Sequence, residues 1–346
     1  MKRRLCAAVC AFLLLLGGVT ACKKAPQKYS AYSFDFFDTQ TVITGYADSQ
    51  EAFDAVSEQI LNQLGEYHRL YNVYLRYDGM ENLCTVNELV DGTHRTVTVD
   101  RRIIDLLLYA REMYDKTDGT VNVAMGSVLK LWHDCRVIGM DDPANATLPN
   151  TEALTTAAQH TDITKMVIDT ENNTVTLTDP QMRLDVGAIA KGYATEQVAR
   201  WLEQQGISGY LLNVGGNVRA VGSRGDGTPW AVGLEQPDDS EGYLATLSIT
   251  REALVTSGSY QRYYLVDGKR YHHIIHPATL MPAEGFTAVS VVCADAGLGD
   301  ALSTALFCMD LEQGQALIAS IPDAEAHWVA TDGTRTASAG WNRYVK

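Results

Sequence analysis

Asp300 and Thr304 stand four residues apart in the run Gly299-Asp300-Ala301-Leu302-Ser303-Thr304. A helix would carry that carboxylate and hydroxyl on one face. Two oxygens so placed can serve a ligand, and the same pair also suits a helix-start acid followed by a buried hydroxyl. Three histidines, His272, His273 and His276, fall close together. Imidazole exchanges a proton near neutral pH, as a general base must. His272 and His273 are neighbours in a strand pattern and so face opposite ways, and cross-strand packing is the competing use of each. The third group is residues 184–222. It opens on Asp185, passes through Gly187-Ala188-Ile189-Ala190 to Lys191 and Gly192, and ends beyond Asn213-Val214-Gly215-Gly216-Asn217. Small residues before a helix and a double glycine after a strand let backbone approach a bound group. Tight packing and a hairpin turn use the same residues.

Several elements must position these groups. Ala190, Ala194, Val198 and Leu202, widened by Trp201, share a helical stripe that ends at Gly206. Phe53, Val56, Ile60, Leu64 and Tyr67 define an earlier amphipathic helix. Ile103, Leu106, Leu107, Ala110 and Met113 define another, capped by Asp100. A helix over about 298–309 carries Asp300. Strand patterns cover 34–46, 166–169, 175–178, 230–234, 243–250, 263–266, 269–275 and 286–293. Turn signals stand at Glu171-Asn172-Asn173, Asp267-Gly268 and Asp332-Gly333, the last leading to a strand with Trp341. Strands paired by hairpins, with helices between the groups, predict a single α+β domain of mainly antiparallel sheets rather than a doubly wound parallel sheet.

The runs DVGAIAKGY (185–193) and NVGGN (213–217), with the helix between them, resemble the FAD:protein FMN transferases, the ApbE family. Further motifs follow the family's order: Tyr71-Asn72-Val73-Tyr74, Gly119-Thr120-Val121-Asn122 running on to Leu131-Trp132, Thr256-Ser257-Gly258-Ser259-Tyr260, His273-Ile274-Ile275-His276-Pro277, and the helix of Asp300. The resemblance covers residues 34–344. The chain departs from the pattern at Thr39-Gln40-Thr41, where the family has a Met-Gly-Thr-like run. It departs again at Asn122 and His276, each in place of Asp, and at Leu280, often Gly.

The resemblance implies FAD as substrate. FMN would pass to a threonine hydroxyl of a partner protein as a phosphoester, and AMP would leave. It implies Mg2+ held by the backbone carbonyl of Ala188 and the side chains of Asp300 and Thr304, hard oxygen donors suited to that ion. His273 would be the catalytic base. FAD would be contacted by Thr39, Tyr74, Thr120, Val121, Asn122, Asp185, Lys191 and Ile275. In that set Tyr74 packs on the flat flavin, Asp185 accepts a bond from the ribityl or adenosine part, Lys191 meets phosphate or caps the site, and Val121 and Ile275 offer backbone amides.

Composition narrows the alternatives. The 346 residues carry a formal charge of −14, which argues against general nucleic-acid binding. An anionic ligand then needs a bound cation or a local cluster such as Lys191 with Arg219. Lys2, Arg3 and Arg4 precede an apolar run, 5–19, too short for an ordinary membrane span. Val19-Thr20-Ala21-Cys22 looks like a bacterial lipoprotein cleavage box. It makes 1–21 a signal peptide, Cys22 the lipidated first residue, 22–33 a tether and 34–346 the transferase domain. Cys84, Cys135, Cys293 and Cys308 lack the spacing of a metal set or disulfide scaffold, and Cys293 and Cys308 read as core. The expected protein is lipid-anchored to the cell membrane on its extracytoplasmic face and modifies a membrane or exported redox protein. Two alternatives stand beside it: an FAD pyrophosphatase giving FMN and AMP, which would use the same metal and base, and a non-catalytic solute- or flavin-binding lipoprotein, which accounts for the cleavage box and the charge but not for Asp300 and Thr304 together with DVGAIAKGY.

Overall fold

The computed structural model describes residues 25–88, 95–238 and 240–346. The signal segment and Cys22 lie outside the described residues. Alternating apolar residues build an eight-stranded sheet, ordered β1 (Gln27–Phe36), β2 (Thr39–Ala47), β6 (Tyr210–Val214), β7 (Asn217–Val221), β10 (Ala253–Gly258), β13 (Phe286–Cys293), β14 (Glu325–Ala330) and β15 (Arg335–Ala337). Every neighbouring pair in it is antiparallel. Period-two alternation decides what each face of β7 meets. Val218 and Ala220 pack on the hairpin of β8 (Trp230–Glu235) and β9 (Tyr243–Ile249). Asn217 and Arg219, both buried, belong to the face that meets the helices.

Those helices are α1 (Gln50–Tyr71), α6 (Ala190–Gln204) and α7 (Ala296–Cys308). Ser49 caps α1 by accepting from the Ala52 amide, and Asp295 caps α7 by accepting from the Leu298 amide. Helix α6 contacts both α1 and α7. Between α1 and α6 come α2 (Leu83–Asn87), β3 (Arg95–Thr98), α3 (Arg101–Lys116), α4 (Gly126–Asp141), α5 (Thr151–Ala158), β4 (Met166–Asp169) and β5 (Thr174–Leu177). Strands β3, β5 and β4 form a small sheet. A hairpin of β11 (Tyr263–Val266) and β12 (Lys269–His272) packs beside α4, and α8 (Leu311–Ser320) follows α7. At the β11–β12 turn Asp267 and Gly268 both take positive φ, 50° and 77°, the backbone that this dipeptide favours.

The mixed, mainly antiparallel architecture agrees with the sequence reading, and three local expectations change. Much of the expected tether is strand: β1 begins at Gln27, with Tyr29 and Ala31 packed against the core. The expected strand over 34–46 holds the end of β1, the turn at Phe37 and Asp38, and β2. Trp341 lies in a short 3-10 helix, not a strand. Helix α4 covers a run to which the sequence reading assigned no element. Cys84, Cys293 and Cys308 are buried thiols, as core residues should be. Among the described residues no helix is long and apolar enough to cross a membrane.

Candidate active site

The family-like glycine of the AKG run explains how two helices meet. At Gly192, in the first turn of α6, an added Cβ would lie 2.5 Å from Asp300 Cβ and collide with the Ala296 carbonyl. Only a residue without Cβ allows this approach. The Gly192 amide, one of the unpaired donors at a helix start, then donates to Asp300 Oδ2 at 2.8 Å. The other oxygen, Oδ1, is 3.4 Å from Asn217 Nδ2 and 3.7 Å from Lys191 Nζ. Both exceed the usual length of a charge-assisted hydrogen bond, so Oδ1 keeps accepting capacity. Asn217 Oδ1, buried beside it, has no hydrogen-bond partner among the described residues. Asp295 caps α7, so Asp300 stands in the second turn and helix-starting does not account for it.

Asp300 is 4% exposed and forms part of the wall of a cavity of about 290 Å³. The cavity brings together every site residue that the resemblance implies: Thr39, Tyr74, Thr120, Val121, Asn122, Asp185, Ala188, Lys191, His273, Ile275, Asp300 and Thr304. They come from six separate segments of chain. Thr304 adds a hydroxyl near Ser257 Oγ, at 3.4 Å. One carboxylate and neutral oxygens could hold a hard cation that draws further ligands from water and phosphate. No group of three His, Cys, Asp or Glu suited to a metal occurs among the described residues.

His273 follows β12 on the cavity wall, and His272 points away, bonded to the Ala283 carbonyl through Nε2. His273 Nδ1 is 3.2 Å from the Arg262 carbonyl. A carbonyl only accepts, so Nδ1 carries the hydrogen and Nε2 keeps its lone pair. Burial, then the charges of Arg262, Lys191 and Arg136, push the imidazole down to about 3. The ring is therefore neutral at physiological pH.

The remaining contacts qualify the expected roles. The Tyr74 hydroxyl donates to Asp185 Oδ2 at 3.3 Å, and its ring stacks on His133 with centroids 4.0 Å apart. Asp185 Oδ1 accepts from the Gly187 amide. The Asn122 side chain is engaged within the protein, donating to the Thr161 carbonyl and accepting from the Ala124 amide. The Val121 amide already donates to Thr117 Oγ1. Thr39 packs over Gly215, whose φ of 56° and that of Gly216, 86°, form the β6–β7 turn. The double glycine thus serves a hairpin, and Gly215 also lines the cavity.

The expected basic pair is split. Arg219 is buried against Glu196, with Nε 2.9 Å from Oε2, and Lys191 instead shares the cavity with Arg136 and Arg262. Arg262 ties the β1–β2 turn to the rim by donating to the carbonyls of Phe37 and Asp38. Both of those residues hold φ above 50°, and the Phe37 amide donates to His68 Nδ1. Neither Arg136 nor Arg262 stands in a motif, so only three-dimensional proximity marks them.

An α+β fold with an anion-suited cleft between helix starts and a hairpin defines the class. The ApbE family profile matches residues 37–328, and the chain belongs to that family. A curated FAD:protein FMN transferase of Klebsiella pneumoniae (strain 342) is 34% identical over 271 residues, covering 75% of this chain and 81% of the relative. One from Treponema pallidum (strain Nichols) is 34% identical over 259 residues, covering 70% of each. The crystal structure of the ApbE protein of Thermotoga maritima has a TM-score of 0.79 at 27% identity, covering 92% of this chain and 100% of that one.

Proposed function

We propose that the protein is an FAD:protein FMN transferase that moves FMN from FAD to a threonine hydroxyl of a partner protein, with AMP as the other product. Convergence carries this reading: Asp300, Thr304, Ala188, Lys191, His273 and Tyr74, distant in sequence, line one cavity in a member of a family whose curated relatives bear that name. The threonine oxygen attacks the phosphorus on the FMN side of the pyrophosphate. The bond from that phosphorus to the AMP oxygen breaks, and AMP departs with the bonding pair.

His273 Nε2 accepts the hydroxyl proton, held for that task by the Nδ1 bond to the Arg262 carbonyl. An anionic substrate beside Arg262, Lys191 and Arg136 offsets the charges that depress this imidazole and raises its basicity on binding. Lys191 and the two arginines draw the pyrophosphate into a chain that is acidic overall. Tyr74 offers a ring face to the flavin. The Ala188 carbonyl, Asp300 and Thr304 would hold magnesium, which when bound supplies charge neutralisation at the phosphates. Lipid on Cys22, with cleavage after residue 21, would keep the enzyme on the outer face of the cytoplasmic membrane, near exported acceptors.

The test incubates mature protein with FAD, magnesium and a candidate acceptor. The acceptor should gain the mass of one FMN phosphoester, with AMP released in equal amount. FMN and AMP released while the acceptor stays unlabelled would favour the pyrophosphatase. Retention of intact FAD would favour the binding protein.

A further inference from the structure

Asp300 is held where three elements meet: Gly192 on α6, Asn217 on β7, and its own helix α7. The same three elements meet a second time, one repeat away on each. Glu196 is one turn beyond Gly192 on α6, Arg219 is two residues beyond Asn217 on the same face of β7, and Ala296 is one turn before Asp300 on α7. Glu196 joins them. Its Oε2 accepts from the Ala296 amide at 3.0 Å and from Arg219 Nε at 2.9 Å, and its Oε1 accepts from Arg200 Nε at 3.0 Å. Arg200 in turn donates to Asp295, the cap of α7, at 2.6 Å. Glu196 and Arg219 are 3% and 4% exposed and do not line the cavity.

We infer that Glu196 is a positioning residue for Asp300: it grips the first turn of α7 against α6 and β7 and so sets where the Asp300 carboxylate meets its cation. This rests on the proposed metal role of Asp300. A buried pair adds little stability over apolar replacements of similar volume, so the Glu196–Arg219 charges matter less for folding than for holding the start of α7 in place. Partners that orient metal-binding side chains change metal affinity roughly 10–100-fold when removed, and Glu196 should fall within that range.

The probe is manganese(II), titrated by EPR into full mature protein with ADP present as a flavin-free pyrophosphate. Glu196→Ala leaves Arg219 buried without its partner and is at risk of unfolding. The main variant is therefore Glu196→Leu with Arg219→Met, which removes both charges and keeps packing. It should stay folded, melting lower because the Ala296 amide loses its acceptor, yet bind manganese at least about 10-fold more weakly. Glu196→Gln, which still accepts from the Ala296 amide, should recover most of the affinity. Asp300→Ala separates the two levels of the argument. If it binds manganese as the parent does, the metal role fails and the inference falls with it. If it loses binding while the double variant keeps the parent's affinity, the positioning role alone is overturned.

Discussion

Replacing Gly192 with alanine would set a Cβ 2.5 Å from Asp300 Cβ and 2.9 Å from the Ala296 carbonyl carbon. Methyl groups settle at about 3.5–4.0 Å from other carbons, so α6 and α7 must separate by about 1 Å. The 2.8 Å bond from the Gly192 amide to Asp300 Oδ2 would stretch beyond hydrogen-bond reach. Overpacking costs about 1–3 kcal/mol, and losing a hydrogen bond to a charged group costs about 1.5–3 kcal/mol. The gain in helix propensity returns about 1 kcal/mol. The net expectation is about 1.5–5 kcal/mol of lost unfolding free energy, with flavin transfer falling further because Asp300 moves. Urea unfolding and acceptor labelling on the same preparation provide the assay. A Gly192→Ala protein with the parent's midpoint and rate would refute the close-approach argument.

Other outcomes follow from the same geometry. His273→Gln should lower the transfer rate about 10²–10⁴-fold in a labelling assay with FAD binding retained. His273 sits at about 3 in the fold against an ordinary 6.5, so folding favours its neutral form. Its contribution to stability is full above pH 6.5 and is lost as pH falls toward 3. Urea midpoints of His273→Gln should therefore decline less steeply over that range than the parent's. Tyr74→Ala should weaken FAD binding by about 1 kcal/mol, while Tyr74→Phe, which loses only the bond to Asp185, should lose less; equal dissociation constants for all three would make the ring merely structural. Cys22→Ser should leave the protein unlipidated and release it from membranes or leave it unprocessed, as fractionation and mass spectrometry would register.

What could be read from the chain followed local period and turn chemistry. The stripes of α1, α3 and α6 and the Asp267-Gly268 hairpin are short-range patterns with one dominant cause. Helix α4 lacks such a stripe: Val137, Ile138 and Met140 are exposed, and its few buried residues include two glycines. Strand β1 is an edge strand packed on one face, with Tyr32 and Phe34 turned outward, so its composition resembled a tether. Residue spacing put Asp300 and Thr304 on one helix face. It could not reveal that Gly192 and Asn217 hold Asp300, because those contacts span 108 and 83 residues. Arg219 looked like a phosphate ligand until its burial against Glu196 was visible.

The central claim, that Asp300 serves the chemistry of this cavity, is tested most directly by Asp300→Ala. Intact mass of a flavin-accepting protein should be followed across a magnesium titration, with melting temperature measured on the same preparation. The account predicts a folded variant that leaves the acceptor unlabelled at every magnesium concentration. A variant that melts lower yet labels the acceptor with the parent's magnesium response would contradict it.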